Sequence, residues 1–461
     1  MVATIFFHAG KHSTGVAPMI RALLLMGLIL GPAAEAQIGV PRVPLPGLPI
    51  GGLPSSIVGL QQTLGAPTGE ISRIEDARKA LIGQLLRRHS DVLETDPSGN
   101  PIVRGEVLAL SPTDTALAHA LSAGFSVLRE RSGGALGLRI VVLGVPRRTN
   151  TRRALAALRG LDPTGTYDFN NIYTASAAPG GSPGISPPSS AEPASARSTP
   201  LGLIDGGVAT AQPVFDGIVV HQHGCGGAVV PDAHGTGVAS LMVGRSPRFG
   251  GAAPGAPLYA ADVYCGQPTG GAVDAIAEAL QWLAGERVPV INLSLVGPPN
   301  ELLRQVVARA VAQGFLIVAA VGNDGPAAPP LYPAAYPGVV GVTAVDGRQR
   351  TIFEAERGPQ VMFAAPGADI PAAALPDGFD SVRGTSFAAP LVAGLLAEQL
   401  EVMVPGRDPR PSPAIDPATA DAAIDALARA AIHIGAPGRN VVSGYGVVGA
   451  NLPSPRPATK Q

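Results

Sequence analysis

From residue 201 to about 452 the chain alternates short unbroken apolar runs with longer stretches of helical period. The apolar runs predict strands at 201–204, 219–220, 258–263, 290–294, 316–321 and 339–344. Runs apolar on both sides suit strands covered on both faces of a sheet. Helices are predicted at 235–243, 272–283, 302–313 and 386–400, where apolar residues recur at spacings of three and four. Buried strands separated by helices imply an α/β fold, a doubly wound parallel sheet. Function in such a sheet gathers at the carboxyl ends of the strands and at the helix starts that follow them.

The amino-terminal part has a different pattern. Ile71, Ile74, Ala77, Leu81 and Leu85 predict a helix over 70–94. A compact series follows: strand 105–110, a helix from 111 to about 123, strands 125–130 and 136–143, helix 151–159 and strand 166–173. The order βαββαβ is that of a small α+β, ferredoxin-like domain. Between the two regimes, 174–200 is low in complexity, as in Ala178-Pro179-Gly180-Gly181-Ser182-Pro183. Such a run cannot bury a core and predicts a flexible linker. Residues 37–68 are a Pro- and Gly-rich spacer, and 453–461 a tail. The expected domains are therefore 69–173 and 201–452.

Met19-Ile20-Arg21, an apolar run at 22–30 and Ala34-Glu35-Ala36 follow the order of a secretory signal: basic, apolar, small-residue cleavage site. A signal peptide over 1–36, with Met19 as an alternative start, predicts a secreted or periplasmic protein. The run is too short to cross a bilayer comfortably, so no stable membrane span is expected. An apolar content of 46% supports a sizeable core, and 15% charged residues with a net charge of −1 give no reason to expect a nucleic-acid partner. Cys225 and Cys265 are the two cysteines, and an even pair in an exported chain suggests one disulfide.

Four polar residues stand in small-residue contexts where chemistry could be placed. Ser386 lies in Gly384-Thr385-Ser386-Phe387-Ala388-Ala389-Pro390 at the first turn of a helix. Free N–H groups and the positive dipole end there can hold an oxyanion. His234, in Asp232-Ala233-His234-Gly235-Thr236-Gly237, can take a proton from a serine. Asp205, after an apolar strand and before Gly206-Gly207, can orient an imidazole. Asn323, in Gly322-Asn323-Asp324-Gly325, offers an amide donor for an oxyanion. Taken singly, each has an ordinary reading as a helix cap, a surface histidine or a turn residue.

Taken together, the order Asp205, His234, Asn323, Ser386 in these contexts resembles the subtilisin-like serine proteases, the subtilases. The stretches 251–256, 332–345 and 444–446 also resemble that family, and the likeness covers about 201–452. The resemblance implies a serine endopeptidase with Asp205, His234 and Ser386 as triad and Asn323 in the oxyanion hole. It implies that Ser294, Leu295, Val296 and Gly297 bind the substrate strand. It further implies protein or peptide substrates. More loosely, 104–173 resembles the family's propeptide, which would act as an intramolecular inhibitor, with self-cleavage near Tyr173 or within 174–200.

Two departures stand out. Gly206 occupies a place where a Ser or Thr usually follows the acid. Val296 occupies a place usually held by Gly, where a branched side chain should crowd the substrate strand or pocket and narrow specificity. His221-Gln222-His223-Gly224-Cys225 contains metal-ligating residue types, but the set is incomplete and reads as a loop. The family often binds calcium, yet no dense Asp/Glu loop supports it here. No metal and no cofactor are expected. The alternative is a weak or inactive binding protein on the same fold. An α/β-hydrolase esterase is disfavoured by the chain order and the missing G-x-S-x-G elbow.

Overall fold

The computed structural model describes residues 68–176, 199–246, 249–267, 269–404, 415–435 and 438–452. The expected signal peptide, nearly all of the spacer and most of the linker lie outside them. The first helix, α1 (Thr68–Arg88), ends six residues earlier than its apolar spacing predicts, and the chain turns into β1 (Leu93–Thr95). There follow β2 (Pro101–Leu110), α2 (Asp114–Ser122), β3 (Ser126–Arg131), β4 (Ile140–Gly144), α3 (Thr151–Leu161) and β5 (Thr166–Ala175). The strands pair antiparallel in the order β5-β2-β4-β3, with β1 on β2, which is the ferredoxin-like arrangement.

Helix starts are legible in the caps: Thr113 accepts from the Ala116 N–H and Asn150 from the Arg153 N–H. Strand β2 begins four residues before its expected start. Gly105, at φ 74, lies where its register on β5 shifts between Ile102 and Val107, and that glycine obscures the strand in the sequence. Strand β5 continues two residues beyond Tyr173, where the strand was expected to end.

The second regime contains β6 (Leu201–Asp205), β7 (Val220–Gly224), α4 (Ala233–Val243), β8 (Leu258–Asp262), β9 (Gly271–Ala272), α5 (Val273–Gly285), β10 (Val290–Leu293), β11 (Leu295–Val296), α6 (Glu301–Ala312), β12 (Leu316–Ala320), β13 (Val340–Val345), β14 (Val361–Pro366), β15 (Ala368–Ala373), β16 (Phe379–Arg383), α7 (Thr385–Met403) and α8 (Pro417–Ala430). The main sheet is parallel throughout, in the order β14-β13-β12-β10-β6-β8-β7. Leu201, Leu203, Val290, Val318 and Val342 face α4, α7 and α8. Ile204, Ile291, Leu293 and Ile317 face α5 and α6. Both faces are covered, as continuous apolar runs require. The pattern did not reveal β14, β15, β16 or α8. The run at 361–366 ends in a proline, and α8 is an alanine-rich segment with few large apolar residues. The segment 221–225, expected as a loop, is instead mostly the edge strand β7. His221 packs on the Tyr259 ring and His223 stacks on Trp282.

The small domain uses its sheet twice. Val107, Ala109, Val141 and Leu143 pack on α2 and α3. The alternate residues Leu108, Leu110, Ile140 and Val142 join the core formed by α5 and α6. Polar residues of β5 then meet the starts of those two helices. Asp168 accepts from the Glu301 N–H at 2.6 Å, and Asn170 accepts from the Asp274 N–H at 3.2 Å. Asn300 Nδ2 donates to the Phe169 carbonyl at 2.8 Å and to Asn171 Oδ1 at 2.9 Å. Free N–H groups at a helix start favour such acceptors. Replacing Asp168 by Ala in the Ser386→Ala chain should cost about 1–2 kcal/mol of unfolding stability. Denaturant unfolding checks this, and an unchanged midpoint would count against the contact.

Candidate active site

Strand β6 delivers Asp205 at its carboxyl end, fully buried. Asp205 Oδ1 accepts from its neighbour Gly206 N–H at 2.7 Å and lies 2.9 Å from His234 Nδ1. His234 is the second residue of α4, whose start is capped by Asp232: Asp232 Oδ1 accepts from the His234 and Gly235 N–H groups at 2.8 and 3.0 Å. A Cβ on Gly206 would stand 2.5 Å from the Asp232 Cβ. The capping aspartate therefore fills the room that a Ser or Thr at 206 would need. Asp205 Oδ2 correspondingly has no hydrogen-bond partner.

Burial pushes the Asp205 carboxyl above its ordinary range, against the opposing pull of His234 and the Gly206 amide. For His234, burial pushes the imidazole down, but the Asp205 carboxylate outweighs it, and the net shift is upward from 6.5. The ring leans on Phe387, with centroids 5.3 Å apart, which sets it beside the start of α7. Its Nε2 is buried and makes no hydrogen bond.

Ser386 is the second residue of α7, after Gly384 at φ 141, a conformation that favours glycine. Pro390 lacks an N–H and so frees the Ser386 carbonyl four residues earlier. Ser294 Oγ donates to that carbonyl at 2.8 Å and itself accepts from Asn292 Nδ2 at 2.9 Å. The helix start is thereby tied to the end of β10. Asn323 follows β12. Its Oδ1 accepts from the Thr385 N–H at 3.1 Å, and its buried Nδ2 has no partner. Thr385 Oγ1 accepts from the Gly322 N–H at 3.2 Å. The four residues singled out by sequence thus meet at strand ends and helix starts. The Ser386 hydroxyl, however, is engaged away from His234: it donates to the Ser294 carbonyl at 3.1 Å and accepts from the Ser176 N–H at 3.2 Å. It also touches the Ser176 hydroxyl.

Ser176 arrives there at the end of β5. Tyr173 and Ile172 pair antiparallel with Gly271 and Ala272, while Thr174 and Ala175 pair antiparallel with Val296 and Leu295. Val296, expected to crowd the substrate strand or its pocket, pairs through its backbone with Thr174. A Cβ at Gly297 would stand 2.6 Å from the Tyr173 ring, so glycine admits that side chain, and the Tyr173 hydroxyl donates to the Pro298 carbonyl at 2.5 Å. Cys225 and Cys265 form a disulfide with Cα atoms 5.2 Å apart. Sequence reasoning passed over Asp232, Thr385 and Ser176. Asp232, before a small-residue helix, carried the readable signal of a cap.

A parallel sheet with an acid, an imidazole, an amide and a hydroxyl grouped at its strand ends is a subtilisin-like fold. The family model described as "Subtilase family" matches residues 222–446, a span that begins after Asp205. Subtilisin DY of Bacillus licheniformis is 32% identical over 205 residues, which cover 43% of this chain and 74% of that protein. The minor extracellular protease Epr of Bacillus subtilis (strain 168) is 30% identical over 220 residues, 47% of this chain and 32% of that one. Subtilisin Savinase of Lederbergia lenta is 37% identical over 169 residues, 36% and 62% of the two chains. Among solved structures, fervidolysin from Fervidobacterium pennivorans is similar with a TM-score of 0.61 at 19% identity, over 79% of this chain and 63% of that one. The chain belongs to the subtilase family. It spans from about a third to under two thirds of the first curated relatives.

The raised imidazole gives a pH expectation. Were His234 the base for Ser386, labelling of Ser386 by a fluorophosphonate should rise with pH through a midpoint above 6.5 once Ser176 has left the cleft. Asp205→Asn should slow labelling by about 10³–10⁴-fold. A labelling rate flat between about pH 5 and 9 would contradict the pairing.

Proposed function

We propose that the protein is a serine endopeptidase, made as a precursor that cuts itself, whose residues 68–176 act as its intramolecular inhibitor. One observation carries this reading: β5 lies in the cleft as an added strand between β9 and β11 and ends with Ser176 against Ser386. An extended peptide added to a sheet edge is how such a cleft would hold a substrate. Ser176 then contributes the carbonyl that is attacked, and the bond cut is Ser176–Ala177. This lies three residues beyond the Tyr173 boundary.

Before attack, the Ser386 hydroxyl leaves the Ser294 carbonyl and turns about Cα–Cβ toward His234 Nε2. His234 takes its proton as the oxygen adds to the Ser176 carbonyl carbon, and Asp205 holds the ring by Nδ1. The oxyanion is received by the Ser386 N–H and by Asn323 Nδ2, whose Oδ1 is fixed on the Thr385 N–H. Loss of such a donor costs about 100- to 1000-fold in rate. His234 returns the proton to the departing Ala177 amine, and water then releases the acyl group. Protein and peptide chains are the substrates of the freed cleft. The basic, apolar and small-residue order at 19–36 supports export, and Epr is by its name extracellular.

The test compares the full wild-type chain with Ser386→Ala by amino-terminal sequencing. Wild type should yield a product beginning at Ala177, while Ser386→Ala stays joined there. A wild-type chain that remains whole, or identical cutting in both, would favour a binding protein on this fold.

A further inference from the structure

The starts of α5 and α6 are completed by side chains from another part of the chain. The residue before α5 is Ala272, which has no side-chain acceptor and makes no cap of its own. The Asp274 N–H is met instead by Asn170 Oδ1 at 3.2 Å, and Asn170 Nδ2 returns a bond to Asp274 Oδ1 at 2.9 Å. Asn170 thus accepts and donates at one residue, which a side-chain amide can do and a carboxylate cannot. At α6 the Glu301 N–H donates to Asp168 Oδ2 at 2.6 Å. Between the two, Asn300 Nδ2 makes two bonds to the same strand, at the Phe169 carbonyl and at Asn171 Oδ1.

The Asn300 donors are aimed by the larger domain itself. Asn300 is 3% exposed. Its Oδ1 accepts from the Leu303 N–H at 3.0 Å, its backbone N–H donates to the Tyr336 hydroxyl at 2.9 Å, and that hydroxyl donates to its carbonyl at 2.8 Å. The amide therefore keeps its direction when β5 leaves, and a buried donor without a partner is costly. The two helix starts add free N–H groups and a positive dipole end each. Residues 168–171 continue upstream from the segment 172–175 that lies between β9 and β11. Asp168 and Asn170 are alternate residues on one side of that strand, the ninth and the seventh before the Ser176–Ala177 bond. Their backbone ladder runs to β2, inside the amino-terminal domain, so a separate peptide would be held here chiefly by its side chains.

We propose that the starts of α5 and α6 form an exosite that reads a protein substrate upstream of the cleft, taking a side-chain amide at the seventh residue before the cut and a carboxylate at the ninth. This rests on the reading of the cleft as a peptidase site. In the precursor Asn170 and Asp168 occupy the exosite. After their release, a substrate strand that continues in the same direction meets the same donors. Asp274 then also lacks Arg129, whose guanidinium lies 2.9 Å from it in the precursor. A carboxylate at the seventh residue would face that uncompensated acid and be rejected, whereas an amide restores both bonds. At the ninth residue the start of α6 favours a negative charge. The preferred substrates are extended segments that reach both helix starts, and short peptides miss the exosite.

The experiment uses the self-processed enzyme, freed of its amino-terminal segment, and two synthetic peptides with the sequences of residues 172–178 and 166–178. Cleavage of the shorter peptide reports the peptidase reading by itself. The expected result is a kcat/KM about 10-fold or more higher for the longer peptide. Within that peptide, Asn170→Asp should remove most of the gain, and Asp168→Asn should lower kcat/KM by about 3-fold. In the enzyme, Asn300→Asp keeps the acceptor for the Leu303 N–H and removes the two amide donors, so the ratio of longer to shorter peptide should fall toward one. A wild-type ratio near one would overturn the proposal, as would a ratio that none of the changes at 168, 170 and 300 alters.

Discussion

The structure depends on one extended segment having its backbone hydrogen bonds met by two different strands. Residues 172–173 pair with 271–272, and residues 174–175 pair with 295–296. The segment is therefore an inner strand of a small sheet shared by both halves of the described chain. Its polar backbone groups would otherwise need water in a cleft walled by Val296 and Leu295, both buried. The same strand carries Asp168 and Asn170 to the starts of α6 and α5, so one element is fixed by backbone pairing, helix caps and apolar contact together. That redundancy keeps Ser176 on the Ser386 hydroxyl.

The reacting groups are placed by features of the main chain more than by each other. Gly384 permits the turn into α7, and Pro390 opens a carbonyl that Ser294 then holds. Asp232 caps α4, fixing the His234 backbone, while Asp205 fixes its ring. Asn323 spends its oxygen on the Thr385 N–H and so has its amide aimed by that bond. An amide donor left unpaired in a buried place is costly in a resting protein, a cost that the proposed oxyanion role would offset.

Much of this was legible in the sequence, because the residues that matter sit in contexts with a local physical meaning. A serine at a small-residue helix start, a histidine at the start of another, and Asp205 and Asn323 beside glycines could be assigned positions before their meeting was seen. What escaped depended on distant partners. Gly206 reads as a missing hydroxyl, and Asp205 Oδ2 is left without a partner; that Asp232 occupies the space a side chain at 206 would need depends on a fold-dependent approach. That the Val296 backbone pairs with Thr174 follows from strand addition and not from its side chain. Ser176 lay in a stretch of small residues, and only the pairing of β5 with β11 gives it a role. The contact of Asp168 with the start of α6 spans 133 positions, and no local pattern can encode it.

The most direct test of this account is amide exchange in the full Ser386→Ala chain, which lacks the proposed nucleophile. The account predicts that the N–H groups of 172–175, 271–272 and 295–296 exchange as slowly as those of the central strands 290–293 and 316–320. Exchange at those three segments at the rate of exposed turns, with the central strands still protected, would contradict the shared strand and with it the placement of Ser176.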